Sequence, residues 1–217
     1  MCSRDEYPWD FTMTRFIAFC AALALALVLT PSPVTAERAR DVLAQMNAAR
    51  TDPQGYAEHL REFRSRFRGR NYTVPCSRTR IVTHEGTAAV DEAIRFLLRQ
   101  RPISPLAWSD GLARAAAAHV GVQGRNGETG HGEGQGGMRA RIERQGTWKK
   151  TIGENIGYGP DNARAVVIQL IVDDGVPGRG HRKNIFDPAF AVAGVACGPH
   201  PVFGTVCVID FAGGFSD

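Results

Sequence analysis

Three of the six histidines lie in glycine-rich or turn-forming stretches, where a side chain can face a cleft: His131 in Gly130-His131-Gly132, His181 in Arg179-Gly180-His181, and His200 in Gly198-Pro199-His200-Pro201. Imidazole titrates near neutrality, with an unperturbed pKa of ~6.5, so each ring could move a proton or ligate a metal ion. Glu154 interrupts the apolar, strand-like run Ile152 to Tyr158. A carboxylate there must be ion-paired, metal-bound or solvated in a cleft, because burying it unpaired is costly. Asp173 and Asp174 pose the same question after the apolar run Ala163 to Val172, although solvent exposure accounts for them too and the helix dipole disfavours acids at that end. His200 reads as a turn residue, His119 as a hydrogen-bonded structural histidine in an alanine-rich helix, and His59 and His84 belong to no constellation. Neither His-Glu-x-x-His nor Gly-x-Ser-x-Gly is present, so the local metalloprotease and serine-nucleophile patterns are missing. What remains is a mixed His and carboxylate cleft. Glu154 lies 23 residues after His131 and 27 before His181, so the site exists only when the fold is complete.

The elements that must position these residues are helical at the front of the chain. Val42, Leu43 and Met46 recur at helical spacing between Arg38 and Asn47, and after the break Thr51-Asp52-Pro53 a second helix runs through Tyr56, Leu60 and Phe63. Arg64 to Thr83 has no clear period and reads as an exposed loop. Thr83 can cap a helix with Val90, Ile94, Leu97 and Leu98 on its apolar side, stopped by Pro102. Ser109 is a good N-cap for Asp110 to Val122. The glycine-rich stretch Gly124 to Gly137 is a loop, and loops carry sites. A short helix at Met138 to Arg144, a strand at Ile152 to Tyr158, a helix at Ala163 to Val172 capped by Asp161, and strands at Ala191 to Ala196 and Thr205 to Phe211 complete the chain. Helices in front and strands behind define an α+β class with a small antiparallel sheet covered by helices.

Residues 1–36 read as a secretory signal region. Met13-Thr14-Arg15 supplies a positive start, Phe16 to Leu29 carries no charge, and Val34-Thr35-Ala36 ends in small residues. The apolar run of 14 residues is shorter than the ~20 that a spanning helix needs, so no membrane span is expected after cleavage. The acids Asp5, Glu6 and Asp10 are out of place in such a leader, which suggests Met13 as the true start. Residues 37–217 then form one domain, with 37–105 as an N-terminal helical extension. That portion holds 24 basic and 19 acidic side chains, a mild excess. Seven arginines fall between Arg61 and Arg80; they could meet an anionic surface or simply be solvated, and sparse aromatic interleaving argues against nucleic acid. Export, to the extracellular space or a periplasm, permits disulfides. Cys197 and Cys207 flank one turn and are the economical pair, which leaves Cys76 odd.

Gly153-Glu154-Asn155-Ile156, Gly180-His181-Arg182-Lys183-Asn184-Ile185 and Ala193-Gly194-Val195-Ala196, in this order and after the glycine-flanked His131, resemble the CAP superfamily of cysteine-rich secretory, antigen and pathogenesis-related proteins, and most of all its bacterial branch. The likeness spans roughly Leu106 to Phe211. It implies an α-β-α sandwich around a central cleft that holds two His and two acids: His131, Glu154, His181 and, in the fourth place, Asp173 with Asp174 as substitute. Such a donor set suits zinc first, and calcium or magnesium next; without metal, the same groups could be linked by charge-assisted hydrogen bonds.

Three functions follow as expectations. The resemblance implies a secreted binding module for a divalent cation or a small polar or lipid ligand, with cell-envelope material as a possible partner. A metal-dependent extracellular hydrolase acting on peptide or cell-wall material would use Glu154 as general base. A structural envelope protein would use the four residues as internal glue.

Overall fold

Asp52 divides the first two helices of the computed structural model, which describes residues 33–74 and 79–217. α1 (Pro33–Thr51) stops at this residue, whose Oδ1 accepts from the Gly55 nitrogen at 2.9 Å and opens α2 (Pro53–Ser65) with Pro53 in the first turn. That geometry caps a helix and costs nothing for the N–H that proline lacks. The leader up to residue 32, and Cys76, lie outside the described residues.

The stretch read as an exposed loop instead forms an antiparallel ribbon of β1 (Phe67–Arg68), β2 (Asn71–Thr73) and β3 (Arg80–Val82). Strands this short carry too few residues for alternation to stand out. Phe63, Phe67 and Tyr72 pack edge-on or tilted, with centroids 4.8–5.2 Å apart, and hold the ribbon to α2. α3 (Thr87–Arg99) begins three residues later than expected, with Gly86 in place of Thr83 as its N-cap. Thr83 does not cap it; its hydroxyl donates to the Arg70 carbonyl at 2.7 Å and accepts from the Gly86 nitrogen.

β4 (Ala107–Trp108) leads into α4 (Asp110–Asn126), capped by Ser109 through the Leu112 nitrogen and ended by the left-handed Gly127. A short 3₁₀ turn at Gly134–Gly136 and α5 (Met138–Glu143) follow, then β5 (Thr147–Trp148) and β6 (Ile152–Tyr158). α6 (Ala163–Val172) is capped by Asn162 through the Ala165 nitrogen, and not by Asp161. α7 (Gly180–Ile185), β7 (Val192–His200), β8 (Gly204–Ala212) and β9 (Phe215–Ser216) close the chain. His200 is the buried last residue of β7, and no turn residue; its Nδ1 accepts from the nitrogens of Val202 and Phe203.

The main sheet has the order β4-β7-β8-β6, antiparallel except for β4 beside β7. One face carries Cys197, Cys207, Ile209 and Phe211 against α1, α2, α3, α6 and α7 in the largest apolar cluster. The other carries Ile156, Val206, Val208 and Ala212 against α4 and α5. The result is an α-β-α sandwich, and residues 37–105 supply three helices of one layer. Gly194 lets α4 lie directly on β7: a Cβ there would stand 2.0 Å from the Ala113 nitrogen. Cys197 and Cys207 are cross-strand partners joined by a disulfide. Among the described residues, no helix is long and apolar enough to cross a membrane.

Candidate functional site

Successive side chains of a strand point to opposite faces, so β6 sends Glu154 and Asn155 to different layers. Glu154 joins Ile156 on the α4/α5 side. Its Oε1 lies 2.7 Å from His131 Nδ1, and its Oε2 accepts from Arg141 Nη2. The carboxylate is 1% exposed and the imidazole 56%, so a buried anion holds an accessible ring. Arg141, buried on α5, also donates through Nη1 to the carbonyls of His131 and Gly136. One guanidinium thus neutralises Glu154 and closes the loop that carries His131, which is the fork geometry that lysine lacks.

The same loop is tied down at Gly130. Its nitrogen donates to the Tyr158 hydroxyl at 2.9 Å, and its carbonyl accepts from Gln123 Nε2 at 2.7 Å and lies 2.7 Å from His119 Nε2. Burial lowers the pKa of His119, which disfavours the charged ring. His119 is therefore the structural histidine its helix suggested.

Burial opposes the charge of Glu154, but the hydrogen bond from His131 and the positive Arg141 outweigh it and leave its pKa lowered; the same hydrogen bond raises His131. Asp210 on β8 is the direct cross-strand partner of Glu154 and is fully buried. Desolvation, then repulsion from Glu154, push its pKa well above the usual carboxylate range, against the pull of Arg141.

The second half of the site forms around α7. Asp173 ends α6 in the left-handed region, at φ 54°. Its Oδ2 accepts from the His181 backbone nitrogen at 2.9 Å and its Oδ1 lies 2.6 Å from His181 Nδ1. Asp174 takes another part, accepting from the nitrogens of His84 and Glu85. The rest of the motif fixes this dyad. Arg182 is buried and binds Glu92 at 2.6 Å and the Val172 carbonyl at 3.2 Å. Asn184 donates to Asn155 Oδ1 at 2.9 Å and to the Glu154 carbonyl at 3.3 Å, while Asn155 donates to the His181 carbonyl at 2.9 Å. Ile185 enters the core, and Arg50 donates to its carbonyl at 2.7 Å. Arg179 pairs with Glu85, whose pKa falls to about 2, and with Glu92.

His131, Glu154, Asp173 and His181 therefore form two His–carboxylate dyads, one held by Glu154 and the other tied through the His181 carbonyl to Asn155, successive residues of β6, the outer strand of the sheet. They do not form a four-ligand cage. Both oxygens of each acid are spent, on an imidazole and on Arg141 or a backbone N–H. Among the described residues, no group of three or more His, Cys, Asp or Glu is placed to hold a metal ion. What the dyads leave open is the Nε2 edge of each ring, which has no protein partner among the described residues. Arg141 and Asp210 were not singled out by sequence, and Asn155 and Asn184 stood in the quoted motifs without a role. Asp210 offered the same clue as Glu154, a carboxyl inside an apolar strand; Arg141 on its short helix offered none.

The model of the cysteine-rich secretory protein family matches residues 43–211. The chain belongs to this family, the CAP family. Comparison with curated proteins gives no match. Solved structures with a similar fold include an extracellular SCP-domain protein from Bacillus anthracis, at 23% identity and a TM-score of 0.42 over 51% of this chain and 34% of that one. An outer surface protein from Borrelia burgdorferi matches at 15% identity and a TM-score of 0.42, over 58% of this chain and 86% of its own. A cysteine-rich secretory protein from Staphylococcus aureus matches at 14% identity and a TM-score of 0.39, over 65% and 43%. The chain thus spans about a third of the Bacillus protein.

Proposed function

We propose that the chain is an exported CAP-domain binding protein that presents the Nε2 edges of His131 and His181 to a divalent cation, zinc before calcium or magnesium. One observation carries this reading: each ring is fixed at Nδ1 by a buried carboxylate and has Nε2 free. A carboxylate at Nδ1 sets the tautomer, orients the ring and makes the other nitrogen a better donor, as outer partners do in metal sites. In this reading the two acids orient the ligands and do not themselves bind. A bound cation would offer its remaining positions to water or to a polar ligand. The hydrolase reading has less support, because a general base needs a free oxygen in reach of water, and both oxygens of Glu154 are engaged.

Export is supported by the apolar run with its small-residue end, by the family's secretory character, and by the disulfide Cys197–Cys207, which persists in an oxidising compartment. Zinc titration at pH 7.5 tests the site: the wild type binds, and His131→Ala and His181→Ala each weaken binding at least tenfold. No heat and no thermal shift with zinc, calcium or magnesium would leave the dyads as structural links. Mass spectrometry of released protein tests export by finding Glu37 at the N-terminus; an intact retained leader overturns it.

A further inference from the structure

The described arginines between Arg61 and Arg80 divide into two sets. Arg61, Arg64 and Arg66 each pair with an acid: Glu58, Asp91 and Glu62. Arg68, Arg70 and Arg80 pair with none among the described residues. Arg68 and Arg70 donate only to backbone carbonyls, of Phe67 at 3.0 Å and of Thr83 at 3.1 Å, and all three are exposed. These three lie on the ribbon β1-β2-β3.

Its register sorts the faces. Phe67, Tyr72 and Ile81 are aligned across the strands, and Phe63 packs on the first two, so this is the inner face. Arg68, Asn71 and Val82 are aligned on the outer face, with Thr73 opposite Arg80 beside them. That face carries no acid. It carries Val82, which is 73% exposed, on the same strand and face as Arg80.

We propose that the outer face of this ribbon docks on the surface of an anionic phospholipid bilayer. Guanidinium groups match phosphate geometry, and unpaired ones bring their whole charge to a negative surface. An exposed valine among them gains by entering the headgroup region, which a dissolved polyanion does not offer. Single-stranded nucleic acid fits less well, since it needs aromatic platforms, and the ribbon's aromatic rings are turned inward on Phe63. The surface shares no residue with the His–carboxylate dyads, and its docking does not rest on their function.

The test is co-sedimentation of the form beginning at Glu37, which contains the whole described core, with phosphatidylcholine vesicles that contain or lack phosphatidylglycerol. Binding should need phosphatidylglycerol and weaken with salt. Each surface cation contributes about fivefold, so Arg68→Glu with Arg80→Glu should lower partitioning by at least roughly 25-fold. Val82→Ser should lower it severalfold, and ion-paired Arg61→Glu far less than the ribbon pair. Circular dichroism and Tm should be unchanged, because these side chains face solvent. Equal binding to neutral vesicles, or no loss in the ribbon pair, overturns the proposal. If inorganic polyphosphate or single-stranded DNA competes fully and Val82→Ser binds vesicles as the wild type does, the face is a polyanion site and the bilayer proposal fails.

Discussion

Glu154 and Asp210 face each other across β6 and β8, and while the pKa of the first is lowered, burial and the charge of the first push that of the second well above the usual carboxylate range. The folded pKa of Asp210 is raised above its unfolded value of ~3.9. Below that value both states are protonated and there is no penalty. As pH rises above it, the unfolded chain ionises and the native chain does not, so stability falls until the folded pKa is passed. Asp210→Asn, which keeps the shape and cannot ionise, should match the wild type near pH 3. It should then gain up to about 1.4 kcal/mol for each pH unit over that window. Urea titrations across pH measure this, and a less stable Asp210→Asn protein at pH 7 would refute the neutral carboxyl.

Arg141 is the charge that makes the pair tolerable. Arg141→Met leaves Glu154 buried with only His131, and breaking a buried ion pair from one side costs about 3–5 kcal/mol. Arg141→Lys should recover only part, since a single ammonium nitrogen cannot span the carbonyls and the carboxylate that Arg141 reaches from two separate nitrogens. Arg141 also lowers the pKa of His131 by repulsion, so in Arg141→Met the His131 ring should titrate at higher pH than in the wild type. Denaturant melts and histidine NMR report the two effects separately; a His131 that titrates lower in the variant contradicts the arrangement.

The disulfide closes a short loop, since Cys197 and Cys207 are ten positions apart along the chain. Its removal in Cys197→Ala with Cys207→Ala should cost roughly 2–3 kcal/mol, chiefly by freeing the unfolded chain. Non-reducing peptide mapping should recover the two cysteines as one linked pair. Free thiols at both positions would discard the bridge.

What the sequence made legible was periodic or motif-bound. Ile152 to Tyr158 and Ala163 to Val172 fall where their apolar runs place them, and Ser109 caps α4 as its side chain allows. The ribbon β1-β2-β3 was hidden because two- and three-residue strands show no alternation, and because its arginines mask a sheet whose inner face is aromatic. Thr83 failed as a cap because its hydroxyl is used by Arg70 and Gly86. For the site, residue types marked His131, Glu154, His181, Asp173 and Asp174 as candidates and the family resemblance grouped them, but neither showed how their atoms are spent. Whether a carboxylate faces a metal or an imidazole depends on contacts made between residues far apart in sequence, such as Arg141 Nη2 on Glu154, which no local pattern encodes.

The pH dependence of cation binding separates a functional His131 from a structural one. The hydrogen bond to Glu154 raises its pKa above ~6.5, so the charged ring stabilises the metal-free protein below the unfolded pKa, and this contribution is lost as pH rises through the folded pKa. A cation needs the neutral ring and competes with that proton. Zinc should therefore raise Tm little near pH 6 and much more near pH 8, where a cation at about 100 times its Kd adds about 2.7 kcal/mol. Glu154→Gln keeps the shape but removes the charge that raises His131, so the onset of binding should move to lower pH. The loss of the orienting anion should at the same time weaken zinc by roughly 10–100-fold at pH 8. His181→Ala should shrink the thermal shift at every pH, in line with its at least tenfold loss of affinity. A zinc-induced shift that is the same at pH 6 and pH 8, or that survives His131→Ala with His181→Ala, would place the cation elsewhere and leave these dyads as links between the layers and the outer strand of the sheet.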